Sequence, residues 1–237
     1  FDSRWIYFDT DKVERSREKV MRHFLGGGNI GLVTKRGGME LQAPPIFIAN
    51  TISDFRYWSR PGMSGGDYVF PLYLYPENDQ ADISDGLKRR PNIDPAELQT
   101  LLHNTGLVFN PDNQSGDSNS LAPEQLFDYI YAVLHSPAYR EQYAEFLKTD
   151  FPRIPNPVDK ETFNRLVGLG KELRLWHTLT HPDADIVNFI TEFDCTNPDM
   201  VVDKPRYEQG KVYWNKSVQL KNVPQSVRLF STRRYQP

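Results

Sequence analysis

The sequence predicts an α+β domain: a mixed β-sheet built from the N- and C-terminal segments, with a central helical hairpin and a long helix. Three observations carry this. Strand-like runs bounded by turn residues fill the first 76 residues and return after residue 210. Helical spacing dominates 123–180. Between them, 77–122 is an irregular run of Asp, Asn, Ser, Gly and Pro with one short helix.

Arg4 to Phe8 opens as a β-prone run, followed by Asn29–Lys35, Ile46–Ser53 and Tyr68–Tyr75. Val13 to Leu25 puts Val13, Arg17, Val20, Met21 and Phe24 at helical spacing, and the glycines at 26–28 stop that helix. Asp94-Pro95-Ala96-Glu97 is a helix-start signature with proline at the first helical position, leading into Leu98, Leu101 and Leu102. Pro123–His135 carries Leu126, Ile130, Val133 and Leu134 on one stripe. Ser136 caps a second helix from Pro137 that buries Tyr139, Tyr143, Phe146 and Leu147, so the short link predicts an antiparallel pair. Asp159 to about Thr178 is a longer helix along Phe163, Leu166, Val167, Leu173 and Trp176. Strands return at Lys211–Asn215 and Val218–Val223, and the first and last segments are expected to pair. The expected organisation is one domain over 1–237: a strand-rich part to 76, acidic loops over 77–122, helices over 123–180, and a loop with returning strands over 181–237.

At 237 residues the chain is long enough to bury a core, and its hydrophobic share of 38% is about 44% once the 15 glycines are counted. No apolar run approaches the ~18 residues of a membrane span. The single Cys195 cannot form an internal disulfide, which predicts a reducing, cytoplasmic setting. The opening at Phe1, without Met, predicts a piece of a longer protein.

The net charge of −3 conceals a segregated distribution. Residues 1–66 hold ten Lys/Arg against seven Asp/Glu, 76–128 hold three against ten, and 204–237 hold eight against one. Those local excesses of +3, −7 and +7 decide which partners are attracted, so a basic face is compatible with the near-neutral total.

Most catalytic signatures are absent or misplaced. Gly26-x-Gly28-x-x-Gly31 matches a dinucleotide fingerprint by letter, but it follows a helix and opens a strand, the reverse of what that site requires. His177 and His181 are four apart without the Glu of a zinc protease beside them, and Asp194 and Cys195 complete only a weak metal candidate. Asp112-x-Gln114-x-Gly116-Asp117 lacks the central Gly and terminal Glu of a calcium loop at the required offsets. There is no GxxxxGK[ST] phosphate loop and no Asn-Pro-Pro-aromatic motif for a flipped adenine. In 198–204 the nuclease-like acid and lysine are adjacent rather than one apart. No Ser or Cys nucleophile has a local signature, so this chain alone is expected not to be an enzyme and to hold no cofactor or metal.

What remains are basic and amide residues in loops: Lys35 and Arg36; Arg56 and Arg60; Lys88, Arg89 and Arg90; Asn113, Gln114 and Asn119; and Lys216, Arg233 and Arg234 near the end. Arg pairs with guanine and Asn or Gln with adenine in the major groove, while Lys mostly holds phosphate. Singly each is ordinary surface, but collected on loops of one rigid domain they are the right parts for sequence readout of double-stranded DNA, the expected partner.

Several stretches together carry a family resemblance. They are Phe1–Tyr7, Arg15–Met21, Asn29–Leu32, Tyr68–Pro76, the long block Phe127–Arg140 continuing through Tyr143, Phe146-Leu147 and Asp150–Pro155, then Leu169–Leu173 and Tyr235–Pro237. The chain resembles the C-terminal target-recognition domain of type ISP and related single-polypeptide restriction–modification enzymes. That resemblance implies a parent with a nuclease, a helicase-like ATPase and an adenine N6-methyltransferase upstream. S-adenosylmethionine, ATP and Mg would belong to those domains, which would also be this chain's partners. The resemblance assigns no individual base contact. The loops near 36–44, 56–66, 77–93 and 110–122 match the family least and are expected to carry specificity. The alternative is a coupling domain that reads no DNA, docking through aromatics such as Tyr57, Trp58 and Trp214.

Overall fold

In the computed structural model the described residues are 17–37, 44–56, 66–76, 89–112, 119–183, 193–195, 206–213, 215 and 218–222. The chain divides into two compact units, 1–180 and 181–237.

The first unit begins with a short helix α1 (Glu18–Met21) that tightens into a 3₁₀ turn, Arg22–Phe24. Gly27 and Gly28, both at φ +70°, end it, as only glycine readily adopts that conformation. The fingerprint-like glycines are thus a helix stop leading into a strand. Residue 17 is not a helical face position: Arg17 precedes α1 at φ 48°.

Three strands follow: β1 (Gly31–Thr34), β2 (Ile46–Ala49) and β3 (Tyr68–Pro71), antiparallel in the order β2-β1-β3. Strand alternation gives the sheet two packed faces, although β3 leaves Tyr68 and Phe70 exposed on one of them. Val33, Ala49 and Val69 pack with Met21 and Phe24, while Ile46, Leu32 and Ile48 join the larger helical core. The expected Tyr68–Tyr75 strand is broken at Leu72. Its second half, β4 (Tyr73–Leu74), pairs instead with β5 (Arg90–Pro91). The strand expected to reach Ser53 ends at Ala49, and the run Arg4–Phe8 lies outside the described residues.

Helix α2 (Pro95–Thr105) starts where its capping residues require, with the Asp94 carboxylate accepting from the Ala96 N–H at 2.8 Å. It stops at Gly106, φ +66°, whose N–H donates to the Leu102 carbonyl. Two short strands then pair in parallel, β6 (Val108–Phe109) and β7 (Ser120–Leu121), so 77–122 holds three short strands that the composition concealed.

Helices α3 (Pro123–His135) and α6 (Lys160–His177) form the centre of the core. Nine of the thirteen α3 residues are buried, including Tyr129 and Tyr131, so the helix is covered nearly all round rather than along one stripe. The expected antiparallel pair is corrected here. The segment after Ser136 splits at Tyr143 into α4 (Pro137–Gln142) and α5 (Ala144–Leu147), and the principal partner of α3 is α6. Gly170 explains the partnership: a Cβ there would lie 1.8 Å from the Asp128 carbonyl oxygen. Its absence lets the two helices approach at that point. Arg174, one turn further along α6, donates to both Asp128 carboxylate oxygens at 2.6 and 2.9 Å.

The other end of this helix pair is aromatic. The buried Tyr131 hydroxyl shares a 2.5 Å hydrogen bond with His177 Nδ1, and His135 packs against both rings. His135 Nδ1 donates to the Tyr131 carbonyl, yet burial, together with Arg140 and His177 nearby, pulls its pKa down from 6.5 to about 4. The folded chain therefore binds fewer protons than the unfolded chain between those values. The stability held by neutral His135 is complete above about pH 6.5 and is lost as pH falls towards 4. Melting temperature should drop across that window, and His135→Leu should flatten the drop.

The second unit contains β8 (Phe193–Cys195), β9 (Arg206–Glu208), β10 (Lys211–Tyr213) and β11 (Val218–Leu220), antiparallel in the order β8-β11-β10-β9. Gln209 (φ 48°) and Gly210 (φ 77°) make the β9–β10 turn, matching the twist of a tight hairpin. The α+β class is borne out, but the described strands of each chain end pair only among themselves. No described strand joins the two ends into the single mixed sheet expected.

Candidate nucleic-acid interface

The candidate loops leave the fold from roots that are fixed in different ways. The Arg17 guanidinium fastens the 56–66 loop. It donates to the Ser53 and Asp54 carbonyls on one side and to the Asp67 carbonyl on the other, at 2.7 to 3.0 Å. The Asp67 N–H closes the same base on the Phe55 carbonyl. Sequence spacing had put Arg17 on an apolar helix face and missed this role. A half-buried arginine turns its outer donors to nearby carbonyls, and no local pattern says to which.

The parallel β6–β7 pair closes the base of the 111–118 excursion, through Val108 N–H to Asn119 C=O and Asn110 N–H to Leu121 C=O. The β4–β5 pair forms the stem of the 77–88 stretch. Asn29, 1% exposed, holds that stem: its side chain accepts from the Tyr73 N–H and donates to the Tyr73 carbonyl. His23 Nδ1 accepts from the Tyr75 N–H, and Asn92 donates through its backbone and side chain to the Leu72 and Pro71 carbonyls. After β1, Gly37 sits where a Cβ would be 2.7 Å from the Lys148 carbonyl oxygen, with Arg36 bonded to Asp150 at 3.1 Å.

These roots sort the expected contact residues. Lys35 is only 6% exposed, which withdraws it from the freely exposed set. Arg36 is exposed but paired with Asp150. Arg56 is exposed, and its N–H donates to the Asp54 carboxylate in a tight turn. Arg89 and Arg90 are exposed on the β4–β5 stem, and Arg89 lies 3.7 Å over the Tyr73 ring. Asn119 already accepts from Lys160 at 2.7 Å, so it anchors a loop base to the start of α6. Arg60, Lys88, Asn113, Gln114, Lys216, Arg233 and Arg234 lie outside the described residues, as do Tyr57, Trp58 and Trp214.

Strand register separates the described set into two groups. Thr34, Ile46 and Tyr68 are level, so the 35–45 link and the entry into β3 share one sheet end. Gly31, Ala49 and Pro71 mark the other, where the β4–β5 stem begins. Tyr73 reaches the first turn of α3 through its hydroxyl, which donates to Glu124 at 2.6 Å, and Asn119 lies just before that helix. Arg36 lies instead beside Asp150, just after α5, whose Leu147 lies near Leu134 in the last turn of α3. The two groups thus lie towards opposite ends of α3, a helix about 20 Å long.

Of the weak metal candidate, only His177 and His181 have described side chains. His177 is committed to Tyr131, His181 lies 3.8 Å from Asp183, and no cluster of three or more His, Cys, Asp or Glu occurs among the described residues. No described helix is long and apolar enough to cross a membrane.

The chain belongs to the Type ISP C-terminal specificity domain family, whose model matches residues 1–232. Its fold is shared with solved structures. One is the ATP-dependent Type ISP restriction-modification enzyme LlaBIII bound to DNA, at 21% identity and TM-score 0.58, covering 85% of this chain and 12% of that one. A second is the DrdV–DNA complex, at 21% identity and TM-score 0.62, covering 92% and 20%. A third is a nuclease-deletion mutant of the Type ISP enzyme LlaGI in complex with a DNA substrate mimic, at 24% identity and TM-score 0.52, covering 85% and 15%. This chain spans a fifth or less of each. A search of curated proteins found no match.

Proposed function

We propose that this chain is the sequence-specific double-stranded DNA recognition domain of a restriction–modification enzyme. It positions the target adenine for N6 methylation and directs cleavage by the parent protein. The observation that carries this reading is the family match over residues 1–232. It is supported by loops that a packed core roots at fixed points, since readout of base edges needs side chains held in register with the duplex. Arg, Asn and Gln on those loops read bases, and Lys with the basic C-terminal strands holds phosphate.

S-adenosylmethionine, ATP and Mg²⁺ are assigned to other domains of the parent. Neither the sequence motifs nor the described side chains fit any of them. The contribution of this chain is to bind and orient the duplex so that an adenine can be extruded to the methyltransferase site.

Exchanging the 110–122 loop in the full-length protein for that of a relative, then sequencing the methylated positions, tests the reading. A changed methylation motif is expected. An unchanged motif with lost activity would instead make this a coupling domain.

A further inference from the structure

The geometry points to Arg89 as a pre-oriented contact for a DNA backbone phosphate, with Tyr73 as its positioning residue and Glu124 as the group that fixes Tyr73. The inference rests on the DNA-reading function proposed above, and sets Arg89 apart from the base-reading arginines of the other loops.

Arg89 is exposed, yet its guanidinium carbon stands 3.7 Å from the centroid of the Tyr73 ring. A stacked guanidinium spends its face on the ring and keeps its N–H edge for other partners. None of the described residues accepts a hydrogen bond from that edge. Other arginines are differently placed. Arg17, Arg140 and Arg174 donate to carbonyls or a carboxylate within the fold, Arg36 to Asp150, and Arg206 to Glu208. Arg153 lies over Phe146 at a looser 5.1 Å.

The platform beneath Arg89 is rigid. Tyr73 is 1% exposed, and Asn29 holds its backbone N–H and carbonyl. Its hydroxyl donates to Glu124 at 2.6 Å, in the first turn of the most buried helix. Donation to a carboxylate also enriches the ring in electron density, which strengthens its hold on a cation. In the β4–β5 register Leu74 faces Arg90, so Tyr73 and Arg89 are diagonal neighbours on one face of the stem. A planar fork fixed in this way loses little freedom when it closes on two phosphate oxygens, unlike a free surface side chain.

The test is duplex binding by the full-length protein across a salt series. One duplex carries the methylated motif of the host and the other a scrambled sequence. Arg89→Ala should weaken both duplexes alike, by about tenfold, and lower the slope of log affinity against log salt by about one. Tyr73→Leu should reproduce the slope loss, with nothing added in the double variant, while Tyr73→Phe, which keeps the ring but loses its bond to Glu124, should give a smaller loss. Melting temperatures identify any variant that fails to fold; Arg89→Ala, at an exposed side chain, should melt like the unaltered protein. An unchanged slope in Arg89→Ala, or an intact slope in folded Tyr73→Leu, overturns the assignment. So does a loss confined to one base pair, which would make Arg89 a base reader. Absent binding by the unaltered protein is a different failure, that of the DNA-reading function itself.

Discussion

Gly170→Ala should unfold or severely destabilise the first unit, by more than about 3 kcal/mol, whereas Gly168→Ala two residues earlier should stabilise it by roughly 0.5–1 kcal/mol. Both glycines lie inside α6, where glycine costs backbone entropy relative to alanine. At Gly168 nothing lies within 4 Å of an added Cβ, so only the propensity gain remains. At Gly170 the methyl would stand 1.8 Å from the Asp128 carbonyl oxygen and 2.6 Å from its carbon. Those are backbone atoms of a buried helix, which no rotamer change can move aside. Relief requires α3 and α6 to separate, and that strips packing from Phe163, Leu166 and Tyr129 along the core. Thermal or urea unfolding of the two variants checks the contrast, and similar effects at both positions would contradict the close helix crossing.

Arg174→Met should cost about 3–5 kcal/mol at neutral pH, and adding Asp128→Asn should restore much of the loss. Burial already raises the Asp128 carboxyl above its usual range, even with Arg174 bonded to both oxygens. Asp128 in turn raises the Arg174 guanidinium. The pair is therefore costly to break rather than strongly favourable to have: removing one partner leaves the other desolvated and unpaired. A carboxyl raised in the folded state is destabilising when ionised, so the Arg174→Met penalty should be largest above its folded pKa. It should shrink as pH falls and Asp128 takes up a proton. Denaturant midpoints at neutral and acidic pH test this. An Arg174→Met effect independent of pH would show that lost packing, not the orphaned charge, dominates.

Helix starts were legible because each depends on a few neighbouring residues. Asp94, Ser136 and Asp159 each accept from a backbone N–H two or three residues ahead, and Pro95, Pro123 and Pro137 occupy first helical positions. Partners were less legible. Periodicity identified α3 and α6 as helices but paired α3 with its neighbour in sequence. Gly170 and the Asp128–Arg174 bonds, 42 and 46 residues apart, decide otherwise. Composition marked 77–122 as loops, since two-residue strands leave no periodic trace. Among the expected contact residues, the sequence distinguished basic from acidic segments but not Lys35, held at 6% exposure, from Arg89 stacked above Tyr73.

By itself the sequence determined the α+β class, the family and the basic and amide residue types available in the loops, because propensity, capping and motif are local properties. Only the tertiary structure decided which helices pair, which strands stay with their own end of the chain, and which arginine is fixed with its donors free. Those outcomes depend on contacts between residues far apart in the chain, where packing density and hydrogen-bond satisfaction override local preference.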